Sequence, residues 1–295
     1  MNSPNYPAWR VFAIRYAERE AVAPGEMFLR AHPEDQPAAM AYYIWLITGP
    51  TGSFLVDTGF GIDVARQRNR EDCLRGDPLV ALAALGAPAA ELTDVILTHL
   101  HFDHCGALER FPKARIWLQE AEMAFWTGPS ANRSSFRHVI MPADVVAVVD
   151  LNLRGRVRWV AGDAAIAPGL SLHLVGGHTP GMQVVRVETG SGVLVLASDA
   201  THYYRNIEAD RPYSAVESVS AAHAAFDRLR DLAGPTGDIV PGHDPAVLQR
   251  YPPAGPGLAG IAVELTPEAG GPMAAERSLE LETTQLGSAE LKGTT

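Results

Sequence analysis

Over its first two thirds the chain alternates short apolar runs, rich in β-branched residues, with turn signals. The runs are apolar enough to be buried inside a sandwich rather than to line a solvated sheet. Strands are expected at residues 11–16, 42–48, 53–56, 94–98, 115–118, 156–160, 170–175, 183–188 and 192–197. Helical spacing is clearest after Ser214, which forms a Ser-x-x-Glu capping box with Glu217. Val216, Val219, Ala222, Phe226, Leu229 and Ala233 then recur on one face, so a helix starting at Ser214 should lie against a sheet. Shorter helices are expected at 62–69, 78–85 and 120–126. Helices interleaved with two sets of strands predict an α/β sandwich with helices outside. One domain is expected over 1–264, followed by a loosely packed Glu, Gly, Ser and Thr-rich tail over 265–295.

With 295 residues and 47% hydrophobic content the chain can fill a substantial core. The net charge of -10 comes without any Lys/Arg block, which argues against a nucleic-acid partner. Residues 1–20 contain Arg10, Arg15, Glu18, Arg19 and Glu20, and so lack the unbroken apolar core of a secretory signal. No run approaches the ~20 apolar residues of a membrane span. Cys73 and Cys105 are too few for a disulfide framework and are not spaced as a metal pair. A cytoplasmic protein with no membrane partner is expected.

The chemistry concentrates after the apolar segment DVILT, in His99-Leu-His101-Phe-Asp103-His104. At a strand end His99 and His101 point to the same side, because strand residues alternate faces, while Asp103 and His104 follow as the chain turns. One short loop can therefore feed two adjacent metal ions. Three further ligand candidates follow buried runs in the same way: His178 after LHLVGG, Asp199 after VLVLAS and His243 after DIVPG. Five of the ten histidines thus fall in such loops, although imidazole is not a typical turn residue. Nitrogen and oxygen ligands without thiolate suit Zn2+, or else Mn2+, Fe2+ or Co2+. Two dications against two carboxylates leave a positive site that holds a bridging hydroxide as nucleophile and stabilises an oxyanion, with Asp103 as proton shuttle.

The series HLHFDH, GGHTPG, SDA and PGH, with the upstream turn Val56-Asp57-Thr58-Gly59, resembles the metal-site series of the metallo-β-lactamase superfamily over roughly residues 10–250. The resemblance implies that superfamily's αββα sandwich, two mixed sheets inside and helices outside. It also implies one ion on His99, His101 and His178, a second on Asp103, His104 and His243, and Asp199 bridging them. HLHFDHCGAL, RYAERE and SDATHYYRNIEADRP are most similar to the N-acyl homoserine lactone lactonases, which open a lactone ring and quench quorum signals. Those enzymes carry a tyrosine three residues after the bridging aspartate; His202 stands there, with Tyr203 and Tyr204 displaced beyond it. His202 and Tyr204 are therefore the candidates, with Asp103, for direct work on the substrate.

Other lactonases, such as one acting on 4-pyridoxolactone, share this pattern. A thioester hydrolase of glyoxalase II type uses the same ligands but grips an anionic glutathione portion through basic residues, few of which are placed here to do so. A β-lactamase would carry an export signal, an RNA-processing nuclease a basic surface, and a flavodiiron reductase an acidic residue where His101 stands. The non-hydrolase options are a metal-holding binding protein and a mono-iron persulfide dioxygenase. Asp57 either hydrogen-bonds a ligand histidine or simply opens a turn. Cys105 reads as a small buried residue, and Phe102, Phe125, Trp126 and Phe136 either line an apolar pocket or pack in the core. His32, His138, His173 and His223 receive no role. The acyl-chain preference, the native metal and the oligomeric state stay open, a homodimer being one option.

Overall fold

The structure, a computed structural model, describes residues 9–266. In chain order the strands are β1 (Arg10–Val22), β2 (Ala38–Gly49), β3 (Gly52–Val56), β4 (Asp94–Ile96), β5 (Arg115–Gln119), β6 (Val157–Val160), β7 (Ala164–Ala167), β8 (Leu170–Leu174), β9 (Gln183–Thr189), β10 (Gly192–Ser198), β11 (Asp238–Pro241) and β12 (Ala262–Glu264). They form a seven-stranded sheet in the order β12-β1-β2-β3-β4-β5-β6 and a five-stranded sheet in the order β11-β10-β9-β8-β7. Both sheets are mixed: β3, β4, β5 and β6 run parallel, as do β10 and β11, and the remaining pairs are antiparallel.

The strand period of two sorts side chains into separate cores. On β1 and β2, Val11, Ala13, Trp45 and Ile47 join Leu172, Val185, Val187 and Leu196 of the other sheet in the layer between the sheets. Their alternates Phe12, Ile14, Ile44 and Leu46 face outward and are covered by Ala65, Leu82 and Val148 from the helices Ile62–Gln67, Pro78–Ala84 and Pro142–Leu153. On the far side Val184, Val195 and Ala197 pack against Phe226 and Leu229 of the helix Val219–Ala233. The result is the expected αββα sandwich. Burial on both faces explains why the central strands read as continuous apolar runs.

Several expectations need correction. The long helix starts at Val219, not Ser214, and its cap is Ser218, whose hydroxyl accepts from Ala221 N. Ser214 instead donates to the carbonyl of Glu26, and Glu217 N donates to the carbonyls of Gly177 and His178. The stretch before the helix is thus spent on bracing the His178 loop. The helix Pro142–Leu153 was not expected, because its Val-rich sequence PADVVAVVDLNL reads like a strand. β7, β11 and β12 are too short to show a period. β1 and β2 run past their expected ends, through register shifts between Arg15 and Ala17 and between Arg19 and Val22. Leu265 and Thr266, the first positions assigned to the tail, are buried and bonded to Val11; the rest of that tail lies outside the described residues.

Candidate metal centre

All the expected ligands come from segments that follow strands. β4 leads into His99 and the one-turn helix Phe102–Cys105, which carries Asp103 and His104 and has His101 at its N-cap. His178 sits between β8 and β9, Asp199 directly after β10, and His243 two residues after β11. Both sheets therefore contribute to one cluster. His99, His101, His178 and Asp199 present ligand atoms within 4.8 Å of one another, as do Asp103, His104 and His243, close enough for each group to share an ion. Asp199 joins the two: its Oδ2 lies 3.2 Å from His178 Nε2, and its Oδ1 lies 3.1 Å from His104 Nε2 and 3.0 Å from His243 Nε2.

The outward nitrogens of three histidines are already engaged. His104 Nδ1 donates to Asp57 Oδ2 (2.7 Å) and His243 Nδ1 donates to the carbonyl of Ala41 (2.7 Å). Thr98 donates its hydroxyl to Asp57 Oδ2 (2.8 Å), so its oxygen is left to accept from His99 Nδ1 (3.1 Å). Fixing the proton on Nδ1 turns each Nε2 lone pair inward, the tautomer a metal ligand needs. Among the described residues His99 Nε2, His104 Nε2 and Asp199 Oδ1 are buried without a hydrogen-bond partner. Buried polar atoms are seldom left so, and a cation satisfies all three. The donor set fits a pair of divalent ions.

Asp57 thus orients His104. It is fully buried, also accepts from Thr98 N (2.8 Å), and adopts φ 60°, a left-handed conformation that a non-glycine residue holds only when its surroundings dictate it. Burial pushes its carboxyl up, against the pull of His104 and Thr98. Burial also drives His99 and His101 well below the usual imidazole value, so both are neutral lone-pair donors. Burial opposes protonation of His104 as well, yet Asp199, Asp103 and Asp57 outweigh it and raise that group.

Sequence reasoning missed Glu122. It is fully buried in the helix Glu120–Trp126. Its carboxylate accepts four hydrogen bonds, from Leu100 N (2.9 Å), Trp126 Nε1 (2.6 Å), Thr179 Oγ1 (2.6 Å) and Gly181 N (3.1 Å), and so ties the His99–His104 loop to the His178 loop. No local signal marks it, since Thr179 lies 57 positions away. Close approach makes glycine necessary beside it: a Cβ at Gly181 would run into the Glu122 backbone, and one on Gly177 (φ 83°) would meet the Ala222 backbone at 2.7 Å.

The residues after Asp199 divide. His202 joins the cluster, its Nε2 3.1 Å from Asp199 Oδ2 and its ring stacked at 3.4 Å on Tyr213. Tyr204 does not: its ring lies under the Arg250 guanidinium (3.6 Å) and belongs to the core between the sheets. The expectation of a substrate-facing Tyr204 hydroxyl is therefore corrected. The run Thr201-His202-Tyr203-Tyr204 leads into a helix that begins at Tyr204, which turns successive side chains to different layers. Tyr204→Phe is expected to leave steady-state kcat/KM within about twofold. Tyr203 packs in the outer core.

Phe102 is wedged between Phe60 and the Arg68 guanidinium, and Trp126 packs edge-on to His101. Phe125 and Phe136 pack in the same outer core. Cys105 is buried, and burial pushes its thiol well up, so it behaves as a small inert residue. His173 and His223 pair with Asp163 and Asp210. Among the described residues no helix is long and apolar enough to cross a membrane.

The family model of the metallo-beta-lactamase superfamily matches residues 39–243, and the chain belongs to that superfamily. It is an enzyme of the hydrolase class, as its curated relatives are. An N-acyl homoserine lactonase of Bacillus cereus is 26% identical over 252 residues, covering 81% of this chain and 91% of that one. The N-acyl homoserine lactonase AttM of Azorhizobium caulinodans is 28% identical over 231 residues, covering 68% and 81%. Among solved structures, the dizinc quorum-quenching lactonase AidC, in complex with a product, superposes with a TM-score of 0.66 at 20% identity, covering 90% of this chain and 97% of that one. That likeness bears out the fold.

Proposed function

We propose that this enzyme opens a lactone ring, that of an N-acyl homoserine lactone or a related compound, at a centre of two divalent ions, Zn2+ first among them. The observation that carries the reading is the convergence of His99, His101, Asp103, His104, His178, Asp199 and His243, with His99 Nε2, His104 Nε2 and Asp199 Oδ1 buried without a hydrogen-bond partner. His99, His101 and His178 would hold one ion, Asp103, His104 and His243 the other, and Asp199 both. Ions bound there supply an acidified water and positive charge opposite a developing oxyanion.

The chain's own residues do the rest. Asp103, with its side chain 11% exposed, is the most open acid of the cluster and takes the proton shuttled to the leaving alkoxide oxygen. Its backbone is pinned by the Tyr16 hydroxyl, which donates to the Asp103 carbonyl (2.7 Å). His202 donates from Nε2 to Asp199 Oδ2 and so fixes the orientation of the shared carboxylate, while Tyr213 holds the imidazole in plane. Phe102, between His101 and Asp103 in the ligand loop, is braced by Phe60 at 5.4 Å.

His202→Ala is expected to lower turnover about 10- to 100-fold, the usual cost of losing a residue that orients a ligand. Stopped-flow or steady-state assays of metal-loaded protein check this, and unchanged turnover would return His202 to packing. The reading itself is tested by presenting γ-lactones, thioesters and β-lactams to one metal-supplemented preparation. Lactones should give the highest kcat/KM; hydrolysis of thioesters alone would replace the proposal.

A further inference from the structure

We infer that Arg70 is a specificity-determining residue that receives a carboxylate on the part of the substrate remote from the scissile bond. The inference rests on the lactonase reading and narrows its substrate to lactones with an anionic side arm.

Arg70 is half-buried and makes one side-chain hydrogen bond, from Nη1 to the Tyr42 hydroxyl (2.9 Å). The Tyr42 ring packs edge-on to His243 at 5.0 Å, and the Arg70 guanidinium also lies 5.8 Å from the ring of Phe102, which sits between His101 and Asp103. The cation is therefore held beside the metal cluster, one tyrosine side chain away from a ligand.

Its company is unusual for this protein. Arg15, Arg19, Arg110, Arg186 and Arg211 are half-buried too, and each faces a carboxylate. Arg68 and Arg156 each bridge two backbone carbonyls. Arg70 has only a phenol, and burial pushes that phenol up, so it stays neutral and supplies no counter-charge. The neighbouring Glu26 is taken by Arg19 through both oxygens (2.8 and 3.1 Å). Apart from the bond to Tyr42 its side-chain N–H groups have no protein acceptor among the described residues, so the guanidinium is free to receive an anion that arrives with the ligand. A singly charged carboxylate suits a chain of net charge -10 better than a doubly charged group. Since Tyr42 separates Arg70 from His243, the carboxylate and the reacting carbonyl must be several bonds apart. Arg70 would then be one of the few basic residues placed to receive an anionic substrate portion.

The test compares N-succinyl-homoserine lactone with its neutral succinamoyl twin on metal-loaded wild type, Arg70→Gln and Arg70→Lys. Wild type should prefer the anionic lactone by about tenfold or more in kcat/KM, the size of one charge-assisted hydrogen bond. Arg70→Gln should lose that preference through KM, leave the neutral twin within about twofold and retain full metal content, while Arg70→Lys should keep part of it. Equal losses on both lactones in Arg70→Gln, or no preference in wild type, would overturn the inference. If neither lactone is hydrolysed, the lactonase reading fails by itself. Calorimetric binding of the two compounds then decides the role of Arg70: tighter binding of the anion by wild type than by Arg70→Gln supports it, and equal binding rejects it.

Discussion

Replacing His243 or His101 with Ala is expected to abolish hydrolysis, lowering kcat/KM by at least about a thousandfold, and to remove at least one equivalent of metal. The size follows from what each imidazole does. Losing a residue that merely orients a ligand costs about 10- to 100-fold, and these two present the ligand atoms themselves. His243 is fixed by its bond to the Ala41 carbonyl, and its Nε2 is one of two imidazole nitrogens near Asp199 Oδ1. His101 Nδ1 faces His178 Nε2 at 2.9 Å, so its removal leaves one ion short of a side of its cage. Metal analysis alongside kinetics checks both variants. Wild-type metal content with wild-type rates in either would show that the residue is no ligand.

The second large effect is expected at Glu122. Glu122→Ala should lower unfolding free energy by about 3 to 5 kcal/mol, because it leaves Leu100 N, Gly181 N, Thr179 Oγ1 and Trp126 Nε1 buried without their acceptor. In a chain of this size that is a fall of roughly 6–15 °C in Tm by calorimetry. The damage should reach the metal centre, because Leu100 lies between His99 and His101, Trp126 packs on His101, and Thr179 and Gly181 follow His178, so metal affinity should drop together with Tm. A variant as stable as wild type would mean that other groups tie the two loops together.

Glu122 also marks the limit of what the sequence discloses. The metal ligands were legible because each follows an apolar strand and four short motifs repeat that arrangement, so a local pattern carried the site. The two inner faces of the sandwich were legible for a similar reason, since Val and Leu fill both parities of β10 and Val recurs along β9. Residues that act through distant partners were not. Glu122 looks like an ordinary acidic residue in the first turn of a helix, and the neutral phenol beside Arg70 is contributed by β2. Ser214 and Glu217 form a sound capping box on paper, but tertiary bonds to Glu26 and the His178 loop outbid it. His202 and Tyr204 are indistinguishable as neighbours in sequence, and only the helix start at Tyr204 turns one toward Asp199 and the other toward Arg250.

The central claim is that two cations are gathered by these seven side chains. Plasma mass spectrometry of protein loaded with Zn2+ and freed of excess by gel filtration tests it most directly. About two equivalents per chain are expected in wild type and a clear loss in Asp199→Ala. Retention of no divalent metal, or the same metal content in the variant as in wild type, would contradict it.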